Sequence, residues 1–108
     1  MFKKNIALSL CFCLMSHFLN AQILKVMTYN IRLDVASDGE NDWTHRKDFW
    51  TGQLQFYTPD IFGVQEAKPN QVLDIATALP QYGYVGIGRD GVGEGESSNI
   101  FYVKDKFK

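Results

Sequence analysis

Two polar residues stand where runs of strand-forming residues end, and their side chains could do chemistry together. Asn30 closes the apolar run that begins at residue 24, and Glu66 follows the run 61–65. If the two predicted strands are parallel neighbours, both side chains emerge at the carboxyl edge of the sheet, where ligands bind in open α/β sheets. A carboxylate beside a carboxamide can hold Mg²⁺ and orient a phosphate or a water. A polar residue at a strand end is also often only a turn residue, so spacing alone leaves both interpretations open.

The first 21 residues have the organisation of a secretory signal peptide. Lys3 and Lys4 precede an apolar stretch, 6–19, and Ala21 is a small residue at a plausible cleavage position. The stretch is short for a membrane span and polar residues follow it directly, although an uncleaved N-terminal anchor is the alternative interpretation. We therefore expect residues 1–21 to be a signal peptide and the protein to be exported, to the periplasm or outside the cell.

Removal of that segment changes which side chains are available for catalysis. It takes away both cysteines, Cys11 and Cys13, and leaves 87 residues with 9 basic and 12 acidic side chains, a net charge of −3. A disulfide or a zinc–cysteine site is therefore excluded in residues 22–108, whose only histidine is His45. The remaining oxygen ligands suit a hard cation such as Mg²⁺. This charge also excludes a broadly basic nucleic-acid-binding protein.

The hydrophobic pattern predicts the elements that must position these residues, in the order β-α-β-α-β-β. Strands are expected over 24–31, 61–65, 82–87 and 99–103, and helices over 43–57 and 69–79. Polar loops are expected at 34–42 and at the glycine-rich stretch 88–98. This order favours an α/β sandwich over a simple Rossmann half. A piece of this size has little to close its core against, so we expect the N-terminal part of a larger domain.

Each helix is expected to bury one stripe of side chains against the sheet. In the first helix the expected core residues are Trp43, Trp50, Leu54 and Tyr57, joined by Phe49 and Phe56. In the second helix they are Val72, Leu73, Ala76 and Leu79. Asn41 or Asp42 can cap the start of the first helix. Both faces of the first strand are largely apolar, which indicates cover on both sides.

Two segments resemble motifs of the endonuclease/exonuclease/phosphatase superfamily. Residues 24–32, which contain Thr28-Tyr29-Asn30, resemble its opening motif, and residues 59–66, which end in Gln65-Glu66, resemble its second motif. Residues 95–96 and 100–102 follow in the family's order and spacing, so the resemblance covers nearly all of residues 22–108. The two motifs together are far more specific than either alone. The resemblance implies a four-layer α/β sandwich of the DNase I-like kind, of which residues 22–108 would form the N-terminal portion.

The resemblance also implies a metal-dependent hydrolase of phosphoester bonds, with Mg²⁺ as cofactor and Mn²⁺ as a substitute. By it, Asn30 and Glu66 are expected to be catalytic and to form the metal site. Arg89 is expected to contact phosphate, and Glu96 to brace the metal site or Asn30, where the plain alternative is a surface ion pair. The family's later Asp-x-Asn and Asp-His motifs are absent from these 108 residues. The full-length parent is therefore expected to be an active monomer, and this chain alone to be inactive.

The substrate stays open at this point between a nucleic acid, a phospholipid headgroup and a sugar phosphate. Arg32 occupies a position where the abasic-site endonuclease branch carries an acidic residue, and residues 38–47 look more like a deadenylase-like bacterial branch. His45 is expected on a helix surface. The glycine pattern at 86–91 lacks the helix that a dinucleotide site needs. The alternative to a hydrolase is a non-catalytic or degenerate fragment that binds a phosphorylated ligand.

Overall fold

The computed structural model describes residues 22–107 as a mixed α/β fold; the predicted signal peptide, 1–21, lies outside the described residues. The elements are β1 Val26–Asn30, α1 Trp43–Tyr57, β2 Ile61–Ala67, α2 Pro69–Ala78, β3 Tyr82–Val85 and β4 Ser97–Val103. A short 3-10 helix, Ala36–Asn41, lies between β1 and α1. The predicted fold class and order of elements are confirmed, and α1 has the predicted bounds. No helix in 22–107 is long and apolar enough to span a bilayer.

The four strands form one sheet in the order β1-β2-β4-β3. β1 and β2 are parallel neighbours, joined by a crossover through α1, and their register pairs Asn30 with Gln65. β4 runs antiparallel to both of its neighbours. β1 and β2 carry the two segments that resemble family motifs, and are called the motif strands below. This register brings their carboxyl ends to the same edge of the sheet.

Helix α1 begins and ends at residues that satisfy its free backbone groups. The Asp42 carboxylate accepts a hydrogen bond from the His45 N–H at 3.1 Å, the usual role of an N-cap aspartate. At the other end, Thr58 adopts a left-handed φ of 46° and donates its N–H to the Leu54 carbonyl at 2.8 Å. Just before β2, the Asp60 N–H donates to the Lys25 carbonyl at 2.8 Å. The crossover between β1 and β2 is thus fixed at both ends.

The hydrophobic core lies between one face of the sheet and the two helices. Phe62 stacks on Phe101 with ring centroids 4.8 Å apart, and Tyr82 and Trp50 meet Phe62 edge-on at 5.1 and 6.2 Å. Aromatic side chains bury large areas, so this cluster makes a large apolar contribution to stability. The other core residues, all under 9% exposed, are Ile31, Trp43, Leu54, Val64, Ala67, Val72, Ile75 and Leu79.

Four side chains expected in the core are exposed instead. Phe49 and Phe56 are 72% and 80% exposed, because each lies six residues after a buried tryptophan, which at about 100° per residue turns it to the far side of the helix. Tyr57, at the last turn of α1, is 53% exposed. Leu73 is 63% exposed because the inward stripe of α2 runs through Val72, and the position beside it is turned toward solvent.

The second face of the sheet carries apolar side chains that nothing in 22–107 covers. Val26 in β1, Val85 in β3 and Ile100 in β4 are 67%, 56% and 50% exposed. The prediction that β1 is covered on both sides is therefore wrong for the described residues, since α1 and α2 both pack on the other face. The described residues make one sheet with helices on one side.

Candidate functional site

Asn30 and Glu66 are in direct contact at the carboxyl edge of the sheet. The Asn30 Nδ2 donates to Glu66 Oε1 at 2.8 Å, and the Asn30 Oδ1 accepts the N–H of Arg32 at 2.9 Å. These two bonds fix which way the carboxamide faces. The structure thus brings the two residues together as the argument from parallel strands predicts, and it leaves the second oxygen of the Glu66 carboxylate without a hydrogen-bond partner among the described residues.

Both motif strands end in unusual backbone conformations. Glu66 has a φ of 61° and lies where the pairing of β2 with β4 shifts register between Val64 and Ala67. Such an irregularity re-aims a side chain out of the strand, here toward the sheet edge. Arg32, two residues after Asn30, has a φ of 58°. A left-handed conformation costs a residue other than glycine roughly 1–2 kcal/mol, so the surroundings must hold both residues in place.

An open cavity of about 520 Å³ surrounds the contact between Asn30 and Glu66. Its lining contains all four residues singled out from the sequence, and most of it is polar. The lining residues are Asn30, Gln65, Glu66, Ile87, Arg89, Glu96, Ser97 and Ser98. A polar, solvent-filled recess of this size suits a small charged ligand better than an apolar one.

Arg89 and Glu96 form an ion pair on the wall of this cavity. The Arg89 Nη2 lies 3.1 Å from Glu96 Oε2, and the Arg89 backbone N–H donates to the Glu96 carbonyl at 2.8 Å. The Arg89 side chain is 71% exposed, so the pair adds little to stability. It does hold a guanidinium at the cavity, available to an anion. Glu96 makes its hydrogen bond to Arg89, and none to Asn30.

A second arginine lies beside the site. Arg32 forms a two-pronged ion pair with Asp38, with Nε–Oδ2 and Nη2–Oδ1 distances of 2.7 and 2.6 Å. The hydrogen bond from Arg32 lowers the pKa of Asp38, and the same bond and charge raise the pKa of Arg32, to which Glu66 adds a smaller contribution. The Arg32 guanidinium, although paired with Asp38, therefore lies close enough to Glu66 for the two charges to interact. The sequence alone does not predict this contact, because Arg32 and Asp38 meet across a turn of the loop.

Two further polar residues hold this loop, and the sequence did not single them out as part of the site. Arg46 donates to the carbonyls of Ile31 and Arg32 at 2.7 and 3.3 Å. Gln71, fully buried in the first turn of α2, also donates to the Arg32 carbonyl, at 2.9 Å. The available signal in the sequence was a glutamine next to the apolar stripe of a helix. A pattern of apolar residues does not indicate whether such a glutamine is buried.

His45 lies outside the cavity, on the surface of α1 as expected, whereas Ile87 and Arg89 of the glycine-rich stretch line the cavity. The His45 side chain is 60% exposed and contacts Asp42 at the start of α1. In the glycine-rich stretch the loop folds back on itself, with isolated bridges from Gly88 to Gly91 and to Ser97, and the next element is strand β4 rather than the helix that a dinucleotide site needs. A Cβ at Gly88 would overlap the Glu94 carbonyl, so this glycine permits a close backbone approach within the loop.

The donor atoms at the sheet edge fit a hard cation that keeps part of its water shell. Residues 22–107 contain no group of three His, Cys, Asp or Glu side chains able to hold a metal ion together. They do supply the Glu66 carboxylate, with the Asn30 carboxamide bonded to it and the Glu96 carboxylate in the same cavity. Mg²⁺ in proteins is often bound by one or two carboxylates, with water and substrate phosphate completing its octahedron.

Solved structures of other proteins share this architecture. No protein-family model and no curated protein matches the chain. Among solved structures, it is similar to an endonuclease/exonuclease/phosphatase from Bacteroides vulgatus, with 40% identity over 76% of this chain and a TM-score of 0.74. It is also similar to a mannosyl-6-phosphatase from Bacteroides thetaiotaomicron, with 41% identity over 77% of this chain and a TM-score of 0.73. A functionally unknown conserved protein from Enterococcus faecalis matches 73% of the chain at 32% identity, with a TM-score of 0.69.

The sheet with helices on one face is thus part of a DNase I-like α/β fold, as the sequence predicts. The chain belongs to the endonuclease/exonuclease/phosphatase family. It spans about a third of the length of the structures it matches, since it covers 32%, 32% and 31% of the three chains just described.

Proposed function

We propose that the full-length protein is a metal-dependent hydrolase of phosphoester bonds and that Mg²⁺ is its metal. The observation that carries this proposal is the 2.8 Å contact between Asn30 and Glu66, inside a polar cavity that also presents Arg89. A family that includes a mannosyl-6-phosphatase supports the reaction class. The contact places a carboxylate where a cation and a phosphate can meet.

Each residue of the cavity has a separate role in this proposal. Glu66 holds the metal through its free carboxylate oxygen, and Asn30 orients that carboxylate through the hydrogen bond that its Nδ2 donates. A bound Mg²⁺ would neutralise charge on the phosphate and stabilise the charge that develops as the ester bond breaks. Arg89 binds a phosphate oxygen, and Glu96 holds Arg89 in place.

The general base lies outside the cavity that residues 22–107 form. No histidine lines that cavity, and its two carboxylates are assigned to the metal and to Arg89. We therefore propose that the 108-residue chain alone does not turn over phosphoesters. Binding of a phosphorylated ligand without turnover by the full-length protein would support the non-catalytic alternative instead.

A compact sugar phosphate is the substrate class we favour. A relative at 41% identity is a mannosyl-6-phosphatase, and a net charge of −3 over residues 22–108 gives no attraction to a long polyanion. A phospholipid headgroup and a nucleic acid are the competing substrates. Parallel assays with mannose 6-phosphate, a glycerophospholipid and single-stranded DNA separate the three.

Export is also part of the proposal. The basic start, the apolar stretch and Ala21 support a signal peptide over residues 1–21. N-terminal sequencing of the protein recovered outside the cytoplasm would then begin at Gln22. Recovery of the intact N-terminus in the membrane fraction would support an uncleaved anchor instead.

The direct test of the activity is Glu66→Gln in the full-length protein. We expect this variant to lose at least about 100-fold in Mg²⁺-dependent hydrolysis of a phosphate monoester, because an amide is a poor ligand for Mg²⁺. Glu40→Gln, at an exposed position in the 3-10 helix, is the matched control and is expected to keep wild-type activity. Wild-type activity in Glu66→Gln at both limiting and saturating Mg²⁺ would contradict the proposal.

A further inference from the structure

One buried side chain joins the two loops that lead away from Asn30 and Glu66. Gln71 has no exposed surface, and all three of its hydrogen bonds go to backbone atoms of these loops. Its Oε1 accepts the N–H groups of Asp34 and Lys68, each at 3.0 Å, and its Nε2 donates to the Arg32 carbonyl at 2.9 Å.

The positions of these partners tie the two strand ends to each other. Arg32 and Asp34 follow Asn30 by two and four residues, and Lys68 follows Glu66 by two residues. The carboxamide of Gln71 therefore crosses from the exit of β1 to the exit of β2. Lys68 Nζ also reaches the Asp34 carbonyl, at 2.6 Å, but its stem is only half-buried.

No other side-chain type provides the same set of bonds. An apolar residue would leave the half-buried N–H groups of Asp34 and Lys68 without a partner, which native structures avoid. It would also remove the shorter of the two hydrogen bonds to the Arg32 carbonyl, which would keep only the 3.3 Å bond from Arg46. A glutamate would lose the donor to the Arg32 carbonyl and would bring a charge into the core. The left-handed conformations of Arg32 and Glu66 need such support, because each is unfavourable on its own.

We propose that Gln71 is a positioning residue that holds the loops after β1 and β2 together, so that the Asn30–Glu66 pair is preformed for the metal. This inference rests on the proposed function and extends it to a residue that lines no part of the cavity. Partners behind a metal ligand set its orientation, and their loss commonly weakens metal binding by about 10- to 100-fold.

The test uses Gln71→Met in the full-length protein, a substitution that keeps the length of the side chain and removes all three hydrogen bonds. Its matched control is Gln53→Met on α1, where the lost hydrogen bond is the one from the Tyr29 hydroxyl, 2.8 Å long, on the core face of the sheet. We expect Gln71→Met to raise the Mg²⁺ dissociation constant, measured by calorimetry, about 10-fold or more. Gln53→Met should leave the Mg²⁺ dissociation constant within about twofold of the wild-type value, although it too removes a side-chain hydrogen bond. Equal Mg²⁺ affinity in wild type and Gln71→Met would overturn the inference.

Calorimetry separates this inference from the proposed function. If the wild type binds Mg²⁺ and Gln71→Met binds it more weakly, the positioning role stands even where no substrate is hydrolysed. If the wild type hydrolyses a phosphate ester, and Gln71→Met and Gln53→Met both share its Mg²⁺ dependence, the positioning role of Gln71 is wrong. The proposed hydrolase activity is then still supported. A wild type that binds no Mg²⁺ overturns both.

A second measurement covers the case in which Gln71→Met does not fold. In the wild-type protein the amide hydrogens of Asp34 and Lys68 should exchange slowly with solvent, because both are donated to the buried Gln71 carboxamide. Exchange at the rate of the exposed loop amides would overturn the inference without any variant.

Discussion

At the scale of single residues, Asn30 uses each of its two polar atoms for a different partner. The oxygen accepts a backbone N–H of its own loop, and the nitrogen donates to the carboxylate of the neighbouring strand. Aspartate has the same size and keeps the first bond, but it places a second carboxylate against Glu66. The side chain at position 30 therefore decides how much negative charge meets at the sheet edge.

Asn30→Asp should lower the thermal stability of the metal-free protein and enlarge the stabilisation by Mg²⁺. Like charges about 3 Å apart repel each other strongly, and a divalent cation between them removes the repulsion. Thermal unfolding with EDTA and with Mg²⁺ measures both effects. Asn30→Ala, which adds no charge, is the control and should show no enlarged Mg²⁺ effect. Equal unfolding temperatures for Asn30→Asp and wild type in EDTA would count against a close contact with Glu66.

The side chains at the site also mark the limit of sequence reasoning. Asn30 and Glu66 could be paired from the sequence because each ends a strand of recognisable composition. The left-handed backbone of Glu66 could not be predicted from the sequence, because a glutamate does not specify a positive φ. The conformation arises where the β2–β4 register shifts. Gln71 was missed for a related reason, since its partners are backbone groups of loops distant in sequence.

At the scale of elements, Asp60 stabilises the end of the sheet that lies opposite the site. This carboxylate, 5% exposed, accepts the Lys25 N–H at 2.9 Å and pairs with Lys106 in the turn after β4. The hydrogen bond from Lys106, and then the one from Lys25, lowers the pKa of Asp60 below its ordinary value. Three segments of the chain meet at this one side chain.

The lowered pKa predicts how stability changes with pH. Because the folded state favours the ionised form, Asp60 stabilises the fold above the ordinary aspartate pKa of about 3.9, and this contribution is lost as pH falls through the lower folded value. Asp60→Asn should therefore be less stable than wild type at pH 7, and the difference should shrink below about pH 4. Urea unfolding at several pH values measures this difference in the free energy of unfolding. A difference that stays constant down to pH 2 would show that charge is not the cause.

The elements also show why some sequence predictions hold and others do not. The bounds of α1 follow from local signals, a capping aspartate and a stripe of large apolar residues. The exposure of Phe49 and Phe56 contradicts a prediction made on composition, because two aromatic residues off that stripe were counted with it. The insertion of β4 between β2 and β3 depends on tertiary pairing and has no local signature.

At the scale of the whole molecule, the uncovered face of the sheet sets how the 108-residue chain behaves by itself. Apolar residues of three strands, Val26, Val85 and Ile100, remain half exposed or more. Apolar surface of this kind drives association, and edge strands offer free backbone groups to a second sheet.

We therefore expect the isolated chain to aggregate and to bind a hydrophobic dye, and Ile100→Lys to reduce both. Ile100 lies in the middle of β4 with its side chain 50% exposed, so a lysine there adds charge to the face without entering the core. Light scattering and dye fluorescence measure the two effects, and Lys104→Glu, an exposed change beyond the end of β4, is the control. A sharp monomeric unfolding transition for the unmodified chain would contradict this expectation.

We propose that the Asn30–Glu66 contact is a metal site, and a crystal of the full-length protein grown with Mn²⁺ would test this proposal. We expect an anomalous difference peak at a coordination distance of about 2.0–2.3 Å from a Glu66 carboxylate oxygen, with Asn30 still bonded to the other oxygen. A fully occupied Mn²⁺ bound elsewhere, with Glu66 free of metal, would contradict it.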